Sequence, residues 1–193
     1  MSVVMADVFK FSRLMSEFQS VVREVRITGR QAKENDVEHS YQLAMMAWYL
    51  NQAGDWGHDV DRLIRYAFVH DLPEAYAGDI PIFHPDHANK HVAEAKALKR
   101  IASEFPDFPD LVATVHEYET QQNAESQCIY ALDKLMPMIA IYQEGGSTWR
   151  ELNFEMDKLL ANKEERIARS PQVARLHREL AELIRQRPEL FNQ

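Results

Sequence analysis

The chain has 193 residues, of which 46% are hydrophobic and 27% are charged, and its formal net charge is −8. This length suffices for one domain with a buried core, and we predict a single domain over residues 1–193. The acidic balance argues against binding of nucleic acid polymers, which are held by clusters of Lys and Arg. The single cysteine, Cys128, excludes an intramolecular disulfide. No apolar run approaches the roughly 18 residues of a membrane span, so we expect no membrane partner and a cytoplasmic protein.

Apolar residues recur with helical spacing along almost the whole chain, whereas the alternation typical of strands is scarce. We therefore predict an all-α fold. Capping and terminating residues, such as Asn35, Asp59, Gly78 and Ser170, support the limits of the helices. The predicted helices cover residues 5–24, 36–53, 60–76, 86–105, 109–121, 124–143, 148–164 and 171–186.

The second predicted helix places a histidine among apolar residues. In V-E-H-S-Y-Q-L-A-M-M-A, His39 lies four residues before Leu43 and seven before Met46. This is the spacing of residues that share one buried helix face. We expect the imidazole of His39 to point into the interior.

The third predicted helix carries the adjacent pair His70 and Asp71. His70 continues the apolar face of Leu63 and Ala67, and Asp71 continues that of Ala67 and Phe68. A carboxylate in an apolar interior must be paired, protonated or bound to a metal, because burying it alone costs several kcal/mol. The pair therefore calls for a cation.

The sixth predicted helix repeats this pattern at Asp133, which lies four residues after Ile129 and three before Met136. Taken singly, such residues are explained by a histidine bonded to a backbone carbonyl or an aspartate paired with an arginine. Taken together they predict a metal site with two imidazoles and two carboxylates. That ligand set suits Mn, Fe, Co, Ni or Mg better than a thiolate-type structural zinc. The four predicted ligands are His39, His70, Asp71 and Asp133.

A proline interrupts the third helix just after this pair. Pro73 removes the hydrogen bond to the carbonyl of Val69 at a cost of about 3 kcal/mol, so we expect a kink or an end there. A helix terminus without a functional role explains Pro73 equally well. Glu74 lies four residues after His70 and three after Asp71. On a continued helix it shares their face, and we predict that it transfers a proton near the metal.

These motifs resemble those of the HD-domain metal-dependent phosphohydrolases, and within that group the branch of 5'-deoxynucleotidases. The combination H-D-x-x-E-x-x-x-G-D-I-P with an upstream E-H-S and a downstream L-D-K carries the resemblance. It implies a helical bundle with metal ligands on three helices, a motif-bearing core over about 25–145, and C-terminal packing helices over about 148–186. The matching stretches are residues 37–47, 70–81 and 117–134.

The resemblance implies hydrolysis of a nucleoside 5'-monophosphate, a deoxynucleotide above all, to nucleoside and phosphate. The four ligands would hold a divalent Mn, Co, Fe, Ni, Mg or Zn ion. Asp79, in the position of an acidic residue that contacts the sugar or assists at the phosphate, is also a typical turn former. Arg26 is our candidate phosphate contact because R-x-T-G resembles a motif of that branch. Arg30 and Lys33 are less favoured.

Two other functions stay open at this point. A deoxynucleoside triphosphate triphosphohydrolase shares the four ligands and releases tripolyphosphate, but such enzymes carry further histidines where this chain has Glu74. A catalytically silent nucleotide-binding module has no chemical reason to retain buried charges. We interpret four further histidines as solvated rather than as ligands of a second metal, and we expect the C-terminal helices to pack and to form a homodimer. These histidines are His84, His87, His91 and His116.

Overall fold

The structure is a computed structural model that describes residues 3–26, 29–79 and 89–192. It confirms the predicted all-α class, with one small sheet in addition. The elements are α1 Met5–Ser20, β1 Val22–Arg26, β2 Lys33–Asn35, α2 Asp36–Ala53, α3 Val60–Val69, α4 Glu74–Ala77, α5 Lys90–Glu104, α6 Pro109–Thr120, α7 Ala124–Gln143, α8 Ser147–Glu151, α9 Met156–Ile167, α10 Pro171–Arg185 and a 3-10 helix at Pro188–Leu190.

Helix α7 lies at the centre of the fold. It contacts α2 and α3 on one side and α9 and α10 on the other. Leu43, Leu63, Ile129 and Leu132 are fully buried between these helices. Each such leucine or isoleucine contributes about 1.5–3 kcal/mol when it leaves water. This packing holds α2, α3 and α7 against one another. Helix α2 carries His39, α7 carries Asp133, and the turn that follows α3 carries His70 and Asp71.

A hairpin replaces the end of the first predicted helix. The prediction of helix to residue 24 is wrong, because α1 ends at Ser20 and β1 pairs antiparallel with β2. The segment V-R-E-V-R contains β-branched valines that favour extended backbone. At the end of the hairpin Asn35 caps α2: its side chain accepts from the Glu38 amide while Glu38 accepts from the Asn35 amide. The hairpin thus enters α2 beside His39.

The chain leaves helical geometry at the histidine–aspartate pair. Helix α3 ends at Val69, residues 70–73 form a turn, and α4 begins at Glu74. This is the interruption that Pro73 predicts. Gly78 then ends α4 with a φ of +76°, a conformation that a residue without Cβ adopts at no steric cost. The short α4 keeps Glu74 close to the pair.

The last third of the chain differs from its prediction at one point. A single helix over 148–164 is wrong, because α8 ends at Glu151 and α9 begins only at Met156. Asn153 lies between them with a φ of +50°, which asparagine tolerates better than most residues.

The predicted helix over 86–105 begins at Lys90 among the described residues, and residues 86–88 lie outside them. None of the described helices is long and apolar enough to cross a membrane.

Candidate metal centre

The four predicted ligands converge in space. One ligand atom from each of His39, His70, Asp71 and Asp133 lies within 4.8 Å of all the others. The hydrophobic packing of α2, α3 and α7 brings these side chains together from three parts of the chain. All are buried except Asp71, which is half-buried. Their role as metal ligands stays a prediction.

The ring of His70 is oriented as a ligand. Its Nδ1 lies 2.8 Å from the carbonyl oxygen of Ala67, so Nδ1 carries the hydrogen and Nε2 of the neutral ring keeps its lone pair. Nε2 is buried without a hydrogen-bond partner, although it lies 2.9 Å from Oδ2 of Asp71. A lone pair that faces a carboxylate oxygen needs a proton or a cation between them. Metal-bound histidines show this arrangement, with the second nitrogen donating to a backbone carbonyl.

The ring of His39 lies between two carboxylates. Its Nδ1 is 3.2 Å from Oε1 of the buried Glu34, and its Nε2 is 3.0 Å from Oδ1 of Asp133. Burial lowers the pKa of His39. The carboxylates of Asp133 and Glu34 raise it by more than burial lowers it, so that the pKa is about 9. The pocket therefore stabilises positive charge. A divalent cation bound to Nε2 and Asp133 would supply that charge, while Glu34 would orient the ring.

An arginine that the sequence analysis did not select lies beside these ligands. Nη1 of Arg23 donates to Oδ1 of Asp36 at 3.0 Å and to Oδ2 of Asp71 at 2.7 Å. Nη2 lies 3.9 Å from Oδ1 of Asp133. Burial opposes the charge of Arg23, but the carboxylates of Asp71, Asp133 and Asp36 raise its pKa well above the ordinary value. The guanidinium is thus a fixed positive charge at the centre.

The predicted phosphate contact Arg26 lies elsewhere. Its guanidinium donates to Oε2 of Glu151 at 2.8 Å and to Oγ of Ser147 at 3.1 Å, so it contacts α8. The less favoured candidate Lys33 pairs with Glu24 at 2.7 Å. The structure does not bring Arg26 to the other predicted site residues, and its role as a phosphate contact stays a prediction. Successive side chains of a strand point to opposite faces, so Arg23 and Arg26, three residues apart on β1, point in opposite directions.

Glu74 is buried next to the ligands, with only 1% of its surface exposed. Oε1 accepts from Nζ of Lys90 at 2.7 Å, while Oε2 is buried without a partner. Burial and the neighbouring carboxylate of Asp71 raise the pKa of Glu74 to about 10, and Lys90 opposes this shift. In the protein without metal, Glu74 therefore holds a proton at neutral pH. Oε2 is the oxygen free to carry it.

Two cavities adjoin these residues. The larger, of about 510 Å³, has the size of a small-molecule site and lies against His70, Asp71 and Asp133. Its other walls include Tyr118 and Tyr130 and the cations Lys90, Lys134 and Arg166. The smaller, of about 200 Å³, is lined by Arg23 and Asp79. Asp79 is half-buried, and its Oδ1 lies 4.0 Å from Nζ of Lys90.

The additional histidines do not extend the cluster within the described part of the chain. The side chain of His91 is 96% exposed, and His116 is exposed on α6. His84 and His87 lie outside the described residues. Among residues 3–26, 29–79 and 89–192, only His39 and His70 contribute imidazoles to a metal-type group.

The sequence pattern of the HD domain matches residues 15–174 of this chain. The chain belongs to the HD-domain family of metal-dependent phosphohydrolases. The human protein named 5'-deoxynucleotidase HDDC2 is 32% identical over 132 residues, which make up 66% of this chain and 63% of that protein. The match therefore spans less than two thirds of the relative. The protein of that name from Danio rerio is 28% identical over 143 residues, or 72% of this chain and 70% of the relative.

Solved structures show the same fold over nearly the whole chain. A predicted metal-dependent phosphohydrolase from Magnetospirillum magnetotacticum is 28% identical, with a TM-score of 0.83 and coverage of 97% of this chain and 98% of that one. A conserved hypothetical protein from Pyrococcus furiosus is 27% identical, with a TM-score of 0.66 and coverage of 92% and 99%. The resemblance that the sequence motifs indicate is confirmed.

Proposed function

We propose that this protein hydrolyses nucleoside 5'-monophosphates, deoxynucleotides above all, to nucleoside and inorganic phosphate. The convergence of His39, His70, Asp71 and Asp133 beside a cavity of about 510 Å³ carries the proposal. The relatives named 5'-deoxynucleotidase support the substrate class. A nucleotide fits a site in which cations and tyrosines lie next to the ligand cluster.

The four ligands would hold one divalent cation, and their nitrogen and oxygen atoms suit Mn, Fe, Co, Ni, Mg or Zn. Such an ion would polarise the phosphoryl group and lower the pKa of water in the site. Other groups of the chain contact the second ring nitrogen of each histidine and so fix the orientation of the ring. Glu34 orients the ring of His39, and the carbonyl of Ala67 orients that of His70.

In this proposal Glu74 acts as the general acid. Its Oε1 is held by Lys90, so the free Oε2 donates a proton to the oxygen that leaves the phosphorus. In the metal-free protein, burial of the Glu74 side chain favours its protonated form. General acid help of this kind accelerates reactions by about 10²- to 10⁴-fold.

Arg23 is our candidate for a cation that offsets the charge of the phosphate, because it lies beside two of the predicted metal ligands, donating to Asp71 and approaching Asp133. Electrostatic stabilisation of charge that develops in the transition state is often a large part of catalysis. Asp79, which lines the smaller cavity together with Arg23, is our candidate for a contact to the sugar. These two assignments follow from position and charge.

The runner-up function is triphosphate hydrolysis, which the three cations of the larger cavity favour. A panel of nucleoside mono- and triphosphates with Mn²⁺, Co²⁺ and Mg²⁺ decides between the two. Nucleoside and inorganic phosphate from a monophosphate support the proposal, whereas tripolyphosphate from a deoxynucleoside triphosphate supports the runner-up. Failure to cleave any nucleotide with any metal would identify a silent binding module.

A further inference from the structure

Helix α9 presents two cations that the proposed reaction does not use. Lys163 and Arg166 are three residues apart and therefore lie on one face of the helix, and both are half-buried. That face lies against α7, where Lys134 follows the metal ligand Asp133. Nζ of Lys134 lies 2.6 Å from Oδ2 of Asp133. Three positive side chains thus gather next to the predicted metal centre.

Two of these cations lack an acidic partner. Among the described residues, neither Lys163 nor Arg166 forms an ion pair, whereas Lys158 of the same helix pairs with Glu155 at 2.7 Å. Burial lowers the pKa of Lys163 to about 8, and repulsion from Lys134 adds to this shift. Half-buried like charges are unfavourable, and the carboxylate of Asp133, which already pairs with Lys134, offsets this cost for Lys163 only in part. An anion bound between them would remove that cost.

The surrounding cavities show where such an anion would lie. Arg166 and Lys134 line the cavity of about 510 Å³ together with His70, Asp71 and Asp133. Lys163 lines the neighbouring cavity of about 200 Å³ with Arg23 and Asp79. Arg166 and Lys134 therefore border the space in which the substrate is expected, whereas Lys163 borders the smaller cavity beside Arg23 and meets Arg166 in a further cavity of about 500 Å³.

We propose that Lys163 and Arg166, assisted by Lys134, form a phosphate-binding subsite beside the metal centre. The subsite takes a phosphoryl dianion other than the one that the metal holds, and in this respect the inference rests on the proposed function. Arginine and lysine are the side chains that bind phosphate oxygens through charge-assisted hydrogen bonds. The dianion has two possible sources: a second phosphoryl group of the nucleotide, or free inorganic phosphate.

The direct test is calorimetric titration of the metal-loaded protein with inorganic phosphate. The wild type should bind phosphate at two sites per chain, one at the metal and one at the subsite. Lys163→Gln and Arg166→Gln should each weaken the second site by roughly 10-fold or more, the scale of a lost hydrogen bond to a charged group. Lys158→Gln is the matched control, because its side chain is 78% exposed on the same helix. Arg166→Lys should restore part of the binding if charge is what matters.

Kinetic measurements separate the two sources. If the subsite holds a second phosphoryl group, the ratio of kcat/KM for nucleoside diphosphates to that for monophosphates falls at least tenfold in Lys163→Gln and Arg166→Gln. If it holds free phosphate, the ratio stays constant while inhibition by phosphate weakens. Either result supports the subsite. Identical phosphate titrations of all variants and the wild type, with melting curves that show folded protein, would overturn it. Absence of nucleotide hydrolysis in the wild type would refute the proposed function, yet the titration would still decide about the subsite.

Discussion

The metal-centre helices and the C-terminal helices differ in the kind of side chain that they bury, polar in the first region and apolar in the second. In the first region, His39, Glu74 and Asp133 are buried although their polar groups lose water. In the second, Trp149 and Ile184 fill an apolar cluster, and Trp149 stacks on Phe191 with ring centroids 5.0 Å apart. Burial of the polar groups at the candidate site is therefore costly, whereas burial of the aromatic and aliphatic side chains of the C-terminal cluster is stabilising. The apolar packing offsets the unfavourable burial of charge.

The largest effect is expected at a ligand. Asp71→Ala should abolish metal binding and phosphate release together, because a half-buried carboxylate in contact with Arg23 and His70 has no substitute nearby. Metal content by mass spectrometry and phosphate release report both quantities. Asp107→Ala, at an exposed position outside the centre, is the control. Full activity of the metal-replete Asp71 variant would refute the four-ligand assignment.

Glu74 separates catalysis from metal binding. Glu74→Gln should keep the metal content of the wild type and lower kcat by roughly 100-fold or more, since it removes the proton that the mechanism uses. Glutamine preserves the size of the side chain and can still contact Lys90. Loss of the metal in this variant would make Glu74 a ligand instead of a proton donor.

The two arginines of strand β1 form a matched pair. Arg23→Lys should lower kcat/KM for a nucleoside monophosphate by roughly 10-fold or more, because lysine keeps the charge but loses the planar guanidinium whose Nη1 donates to both Asp36 and Asp71. Arg26→Lys should leave kcat/KM unchanged, since Arg26 contacts α8. The reverse ranking would establish Arg26 as the phosphate contact that the sequence motif indicates.

The smallest effect concerns stability against pH. The pKa of Glu74 in the metal-free fold is about 10, above its ordinary value of 4.5. The stability that the protonated form contributes is present in acid and is lost as the pH rises towards 10. Between about pH 5 and pH 9 in EDTA, the melting temperature of the wild type should fall relative to that of Glu74→Gln. Parallel curves for the two proteins would show that Glu74 is ionised in the folded state.

Sequence reasoning found the residues whose signal is local. His39 and Asp133 interrupt an apolar spacing, and caps such as Asn35 and Asp59 define the starts of α2 and α3. Arg23 was missed because its strand has five residues and the helical spacing of α1 was extended through it. Lys163 was missed for another reason: half-buried and solvated lysines have the same sequence signature, because the stem packs while the head stays polar. Only the packing of α9 on α7 distinguishes them.

Anomalous diffraction from crystals of the Mn²⁺-loaded protein tests the metal centre most directly. The account predicts a peak within bonding distance of Nε2 of His39, Nε2 of His70 and one carboxylate oxygen each of Asp71 and Asp133, which the structure already places within 4.8 Å of one another. The peak should be absent from crystals of Asp71→Ala grown under the same conditions. A peak at other residues would contradict the account. So would the absence of any peak in wild-type crystals, if the same protein preparation hydrolyses nucleotides.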